Sequence, residues 1–157
     1  MEYTLSNGER LTIEPMTVED LDWVAALEKE TFSLPWSREA FFDEIGLPDR
    51  LFVVAKLHAN GQAVGVGYSG MFLSFEEGDI TNVAVSPKVR GRGIGYQMLS
   101  SQMEMAKERG ADCFTLEVRV SNEGAIHLYE KLGFEGVGVR RNFYEKPVED
   151  ALIMWKR

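Results

Sequence analysis

The chain has 157 residues, 45% apolar and 27% charged, which suits one folded domain spanning residues 1–157 that needs neither a disulfide nor a metal to supply a core. Its formal net charge of −8 argues against a general nucleic-acid surface, which depends on clustered lysine and arginine, and suits solubility or attraction for a cationic partner. The lone cysteine, Cys113, excludes an intrachain disulfide and fits a reducing cytoplasm, no apolar run approaches the ~20 residues of a membrane-spanning helix, and His58 and His127 stand at no metal-ligand spacing, so a cytoplasmic protein with no membrane and no metal is expected.

Met1 to Arg10 lacks the apolar core of a secretory signal. Leu11 to Met16 reads as a short strand. Thr17 and Asp20 then look like a helix start, with Leu21, Val24, Ala25, Leu27 and Glu28 at helical spacing. Pro35 interrupts that pattern, and Ser37 caps a second short helix through Ile45. Leu51 to Leu57 and Ala63 to Phe75 are strands joined by the hairpin signal Asn60-Gly61, and Asp79 to Val85 is a third strand, stopped by Pro87. A long helix runs from about Gly93 to Arg109, with Gly95, Leu99, Met103 and Ala106 on one stripe. Cys113 to Val120 alternates cleanly, placing Phe114, Leu116, Val118 and Val120 on one face and Cys113, Thr115, Glu117 and Arg119 on the other. Asn122 caps a helix with Ala125, Leu128, Tyr129 and Leu132 on its apolar stripe. Phe134 to Tyr144 and Asp150 to Trp155 are closing strands. This order gives a mixed α/β sheet covered by helices, and the hairpins of its first half exclude a purely parallel wound sheet.

The segment Arg90-Gly91-Arg92-Gly93-Ile94-Gly95, between the strand ending at Pro87 and the long helix, has the makings of a phosphate site. Glycine permits positive φ and close backbone approach, a helix N-terminus offers free N–H groups, and Lys88, Arg90 and Arg92 add positive charge. A Walker A loop would end in Gly-Lys-Ser/Thr, but Gly95-Tyr96-Gln97 stands there. A dinucleotide fingerprint would need a glycine at Met98 or Tyr96, although Glu117 lies near the distance of its ribose-binding acid. The remaining pattern, Arg/Gln-x-x-Gly-x-Gly, is met by Arg90, Gly93 and Gly95. A plain glycine-rich turn competes with it, and the residues downstream decide.

Downstream stand Leu116-Glu117-Val118-Arg119-Val120-Ser121-Asn122, then Leu128-Tyr129 and Lys131-Leu132-Gly133-Phe134. Together with the glycine loop, residues 79–135 resemble the GNAT superfamily of acetyl-CoA-dependent N-acetyltransferases. The resemblance implies a mostly antiparallel seven-stranded sheet flanked by about four helices. Its central strands would splay near Val83 to Val85 and Thr115 to Val118. It also implies acetyl-CoA as co-substrate, its pyrophosphate on Arg90, Gly91, Arg92, Gly93, Ile94 and Gly95. The pantetheine would lie along Val83, Ala84 and Val85, with Asn122 and Tyr129 touching the cofactor. From the residues alone, Asn122 is equally a helix cap and Tyr129 equally a core aromatic.

Acetyl transfer to an amine requires removal of a proton from the amine, polarisation of the thioester carbonyl and stabilisation of the departing thiolate. Glu117 is the candidate base, its competing role being a salt bridge to Arg119. Tyr129 is the candidate acid or thiolate hydrogen-bond donor, and the Val85 N–H could polarise the carbonyl. Cys113 could instead carry the acyl group, but no histidine lies near it in sequence. Phe32-Ser33-Leu34-Pro35-Trp36-Ser37 and Arg140-Arg141-Asn142-Phe143-Tyr144 further resemble the ribosomal-protein-alanine N-acetyltransferases. This implies Trp36, Phe143 and Tyr144 at the acceptor, Glu117 as base, Tyr129 as acid, and the N-terminal alanine of ribosomal protein S18 as substrate. Phe143 stands where that family has a tyrosine, and the loop Glu145 to Glu149 is short, which puts the peptide preference in question. A lysine or small amine as acceptor, and a CoA-binding sensor without turnover, are the alternatives.

Overall fold

A computed structural model describes residues 1–157. In chain order its elements are β1 (Glu2–Thr4), β2 (Arg10–Pro15), a 3-10 turn (Val18–Asp20), α1 (Leu21–Thr31), α2 (Arg38–Ile45), β3 (Val53–Ala59), β4 (Gln62–Ser74), β5 (Glu77–Val85), a second 3-10 turn (Pro87–Val89), α3 (Ile94–Glu108), β6 (Cys113–Arg119), α4 (Glu123–Lys131), β7 (Glu135–Tyr144) and β8 (Glu149–Lys156). The strands form one eight-stranded sheet ordered β1-β2-β3-β4-β5-β6-β8-β7. Only β5 and β6 run parallel; every other neighbouring pair is antiparallel. The seven expected strands are all present. The eighth, β1, is too short and polar to show alternation, and is held by pairing Glu2, Tyr3 and Thr4 with Thr12, Leu11 and Arg10. No helix is long and apolar enough to cross a membrane.

Local chemistry sets the boundaries. The Thr17 N–H donates to Asp20 Oδ2 at 2.9 Å, which starts the turn into α1, and Ser37 Oγ accepts from the Ala40 N–H at 3.1 Å, which starts α2. Asn60 and Gly61 both take positive φ, 52° and 77°, as the tight turn between β3 and β4 demands. One face of the sheet packs on α3 and α4 through Met98, Leu99, Met103, Phe114, Leu116 and Tyr129. The other packs on α1 and α2 through Leu21, Val24, Phe41 and Tyr68. Each large apolar side chain buried here stabilises the fold by ~1.5–3 kcal/mol.

A register shift positions the site. Ser69 of β4 faces Val83, but Met71 faces Ile80, so β5 accommodates an extra residue at Thr81-Asn82. The alternation inverts there: Ile80 points into the α3/α4 core, whereas Ala84 points into the α1/α2 core. The parallel ladder to β6 runs from Glu77↔Cys113 to Ile80↔Leu116 and stops. Beyond it β5 continues to Val85 and β6 to Arg119 with nothing between them. The expected splay is therefore real but begins later on β6 than expected, after Leu116, because Thr115 and Leu116 are still paired with Asp79 and Ile80.

Candidate active site

A cavity of about 680 Å³ opens where β5 and β6 part. Val83 and Asn82 of β5, Glu117 of β6, and Tyr129 with its helix cap Asn122 line its depth. Trp36 and the Phe32–Leu34 segment between α1 and α2 form one wall, and Phe143, Tyr144 and the turn Glu145–Pro147 form another. The gap joins the two faces of the sheet. Glu117 stands on the α1/α2 face, because Leu116 and Val118 on either side of it point into the α3/α4 core, whereas Tyr129 belongs to that core itself.

The Glu117 side chain is 25% exposed, with Arg140 Nε 3.8 Å from its Oε1. The salt bridge to Arg119 considered from sequence does not form. Arg119 instead pairs with Glu149 at 3.2 Å and donates to the carbonyls of Glu145 and Pro147, holding the β7–β8 turn. Asp79 shares the Glu117 face, opposite Thr115 in the ladder. Burial, then the charges of Glu117 and Glu77, push its carboxyl up to about 6 against the opposing pull of Arg140.

Tyr129 is 7% exposed and sits edge-on to Phe134 at a centroid distance of 6.0 Å, so the core role holds alongside its place on the cavity wall. Burial, and secondarily Tyr144, push its phenol well above the ordinary value, so the hydroxyl keeps its proton. Asn122 is a helix cap: its Oδ1 accepts from the Ala125 N–H at 3.2 Å, which turns its NH2 group away from the helix. Trp36 also packs, 5.3 Å from Phe41 and 6.1 Å from Phe52, while lining the cavity. Phe143 and Tyr144 meet edge to face at 5.0 Å, and Arg119 lies 4.5 Å over the Tyr144 ring. Burial and the charge of Glu117 push the Tyr144 phenol up to about 12.

Ala84, Val85, Arg90, Gly91, Arg92, Gly93, Ile94 and Gly95 lie outside this cavity, at the far end of the splayed β5 edge. Gly91 and Gly93 take φ of 83° and 79°, and open space lies where a Cβ would project. The first bond of α3 runs from the Gln97 N–H to the Gly93 carbonyl, which leaves the preceding N–H groups free to bind an anion. The loop cations are partly engaged: Arg92 pairs with Glu9 at 2.6 Å, and Arg90 Nε donates to the Val85 carbonyl at 3.3 Å. The Ala84 and Ile94 side chains are buried in the cores; the Ile94 backbone faces the loop, whereas the Ala84 N–H and C=O turn to β4, so the sequence expectation that Ala84 meets the cofactor reduces to its place in the chain between Val83 and Val85. The Ser86 N–H points to β4, donating to the Val66 carbonyl at 2.7 Å, so strand alternation aims the N–H and C=O of Val85 and Val83 at the open edge. Together the free N–H groups, flanking cations and an edge with no partner strand beyond Ile80 suit a pyrophosphate carrying an extended amide arm.

The sequence left Glu28, Tyr68 and Asn82 unassigned, yet they meet at the cavity, with Glu28 and Asn82 on its wall and Tyr68 behind them. Tyr68 OH donates to Glu28 Oε1 at 2.5 Å, Asn82 Nδ2 to the same oxygen at 3.4 Å, and the Trp36 N–H to Oε2 at 2.9 Å. The available signal was a carboxylate at position 28 on the buried stripe of α1.

The model of the acetyltransferase (GNAT) family matches residues 21–134. The chain is 36% identical over 146 residues to a putative ribosomal protein bS18-alanine N-acetyltransferase of Bacillus subtilis, covering 93% of this chain and 95% of the relative. The crystal structure of the ribosomal-protein-S18-alanine N-acetyltransferase from Escherichia coli superimposes with a TM-score of 0.80 at 31% identity, covering 93% and 92% of the two chains. Arabidopsis thaliana Naa50, solved with the bisubstrate analogue CoA-Ac-MVNAL, shares the fold with a TM-score of 0.77 at 22% identity, covering 94% and 98%.

Proposed function

From the premise that the chain belongs to the GNAT family and is an acetyl-CoA-dependent N-acetyltransferase, we propose that it acetylates the N-terminal α-amine of a protein, and specifically the N-terminal alanine of ribosomal protein S18. The observation that carries this reading is the cavity at the splay, open to Glu117 from one face of the sheet and to Tyr129 from the other. The relatives named for bS18-alanine acetylation supply the acceptor.

In this reading the N–H groups of Gly91, Gly93, Ile94 and Gly95, flanked by Arg90 and Arg92, hold the pyrophosphate of acetyl-CoA. Val83 and Val85 pair through their outward backbone groups with the pantetheine amides, Ala84 between them contributes only chain, and the Asn122 NH2 meets the same arm. Acetyl-CoA supplies the activated thioester. The acceptor peptide enters between the Phe32–Leu34 segment and the Glu145–Pro147 turn, against Trp36, Phe143 and Tyr144. Glu117 takes a proton from the ammonium, directly or through a water. An α-amine, at ~8, needs a weaker base than a lysine side chain at ~10.4. The outward N–H of Val83, the residue of that edge that lines the cavity, polarises the thioester carbonyl as the amine nitrogen bonds to its carbon, a role the sequence had offered to Val85, which lies too far along the strand. As the C–S bond breaks, Tyr129 donates its hydrogen bond or proton to the sulfur.

The test is mass spectrometry of an S18 N-terminal peptide incubated with enzyme and acetyl-CoA, expected to show a single acetyl group on the α-nitrogen. Acetylation confined to lysine or small amines would move the acceptor assignment. Tight acetyl-CoA binding with no acetylated product from any amine would make the protein a sensor.

A further inference from the structure

Glu28 is a carboxylate buried without a counter-charge. It is 2% exposed, and its donors, the Tyr68 hydroxyl, the Asn82 amide and the Trp36 N–H, are all neutral. An ionised carboxylate in such a place is costly unless a cation joins it. Asn82, 7% exposed, must turn its NH2 towards Glu28, which sends Oδ1 the other way, and that oxygen is buried with no hydrogen-bond partner. Both residues lie on the wall of the cavity. An unneutralised carboxylate and an orphaned acceptor on neighbouring residues of one cavity wall match a ligand that is positively charged and carries several N–H donors. An ammonium group has both properties.

We infer that Glu28 and Asn82 form a docking subsite for the α-ammonium of the acceptor, distinct from the base Glu117. The inference rests on the reading that the acceptor is an N-terminal amine. The α-amine, with its reference pKa of ~8, reaches the enzyme mostly charged near neutrality, and the subsite holds that form until Glu117 removes the proton. The same pair explains turnover. Acetylation removes the charge and all but one of the N–H donors, so the product loses its hold where the substrate had it. The Trp36 N–H bond to Glu28 links the subsite to the segment between α1 and α2, so occupancy and the shape of the peptide wall are set together.

The experiment is calorimetric titration, in the presence of CoA, with an N-terminal peptide and with its isostere bearing an α-hydroxyl in place of the α-amine. The wild type is expected to prefer the amine by roughly 10- to 100-fold, the range of a hydrogen-bonded charge. Glu28→Gln should erase most of that preference while CoA and the hydroxy peptide bind as before, and Asn82→Ala should reduce it. In steady state, Glu28→Gln should raise KM for the peptide more than it lowers kcat, the reverse of Glu117→Gln. Equal affinity of the wild type for both peptides overturns the subsite, as does a Glu28→Gln variant that keeps the preference. If that variant loses CoA binding, an unchanged preference in Asn82→Ala overturns it instead. Mass spectrometry of the same amine peptide with acetyl-CoA separates this result from the acceptor reading: acetylation on lysine alone sinks that reading, whatever the titrations give.

Discussion

At the scale of single residues, the positions of Glu117 and Tyr129 on the cavity wall follow regular patterns visible in the sequence, a carboxylate on the polar side of an alternating strand and a phenol on an apolar helix stripe, and their proposed chemistry is open to test. Replacement of either should act on turnover rather than folding. Glu117→Gln and Tyr129→Phe are each expected to lower kcat by ~10²–10⁴-fold, the usual weight of a general acid or base, with the thermal midpoint nearly unchanged. Near-normal kinetics in both would remove the assignment. Glu28, Asn82 and Asp79 were not legible, because what distinguishes them is burial against residues far away in sequence. Asp79 makes its own prediction. Its carboxyl, raised to about 6 by burial, Glu117 and Glu77, lies above the unfolded value of ~3.9, so the native state binds more protons than the unfolded chain between those limits. Its contribution to stability is fully present below the lower limit and is lost as the pH rises through the upper one. Asp79→Asn should therefore stabilise the protein near pH 7.5 and make no difference near ~pH 4. Because the group is only half-buried, solvent screening discounts the gain to ~1 kcal/mol, or ~2–4 °C in Tm, readable by scanning calorimetry at the two pH values.

At the scale of elements, the start of α3 was legible because alternate glycines after a strand leave few conformations open. The bulge in β5 was not. It exists through the register that β4 imposes, Ser69 on Val83 and Met71 on Ile80, and no residue type at Thr81 or Asn82 announces it. β1 escaped notice because three residues cannot display a period. The loop carries a prediction that separates its backbone geometry from its charges. Gly93 sits at φ 79°, where a β-branched residue is strained, although the space around it is open. Gly93→Val should weaken acetyl-CoA binding ~5- to 30-fold, since ~1–2 kcal/mol of backbone strain is relieved only by moving the N–H groups out of line. Arg92→Ala, whose guanidinium is already held by Glu9, should cost less. Isothermal titration with CoA ranks the two, and an equal or reversed order would place the binding energy in the side chains instead of the backbone.

At the scale of the whole molecule, the sheet is a partition with one opening, and the opening dictates the order of chemistry. Glu117 belongs to one side and Tyr129 to the other, and the cavity reaches both only where β5 and β6 have parted. With Glu117 as the proposed base and Tyr129 as the proposed acid, the two can serve the same bond change only if amine and thioester occupy the opening together. The arrangement therefore calls for a ternary complex and direct attack. The competing route would lodge the acetyl group on Cys113 first, and the position of that thiol opposes it. Cys113 opens β6 opposite Glu77, in the stretch where the ladder is still closed, and it does not line the cavity. Burial, with Asp112 and Glu77 adding to it, pushes its thiol up, which lowers the thiolate fraction that an acyl carrier needs. Initial rates over a grid of acetyl-CoA and peptide concentrations should give intersecting double-reciprocal lines, and Cys113→Ser should retain kcat within about twofold. Parallel lines, together with loss of activity in Cys113→Ser and an acetyl group recovered on the Cys113 peptide, would show that the two substrates never meet and that the opening serves each in turn.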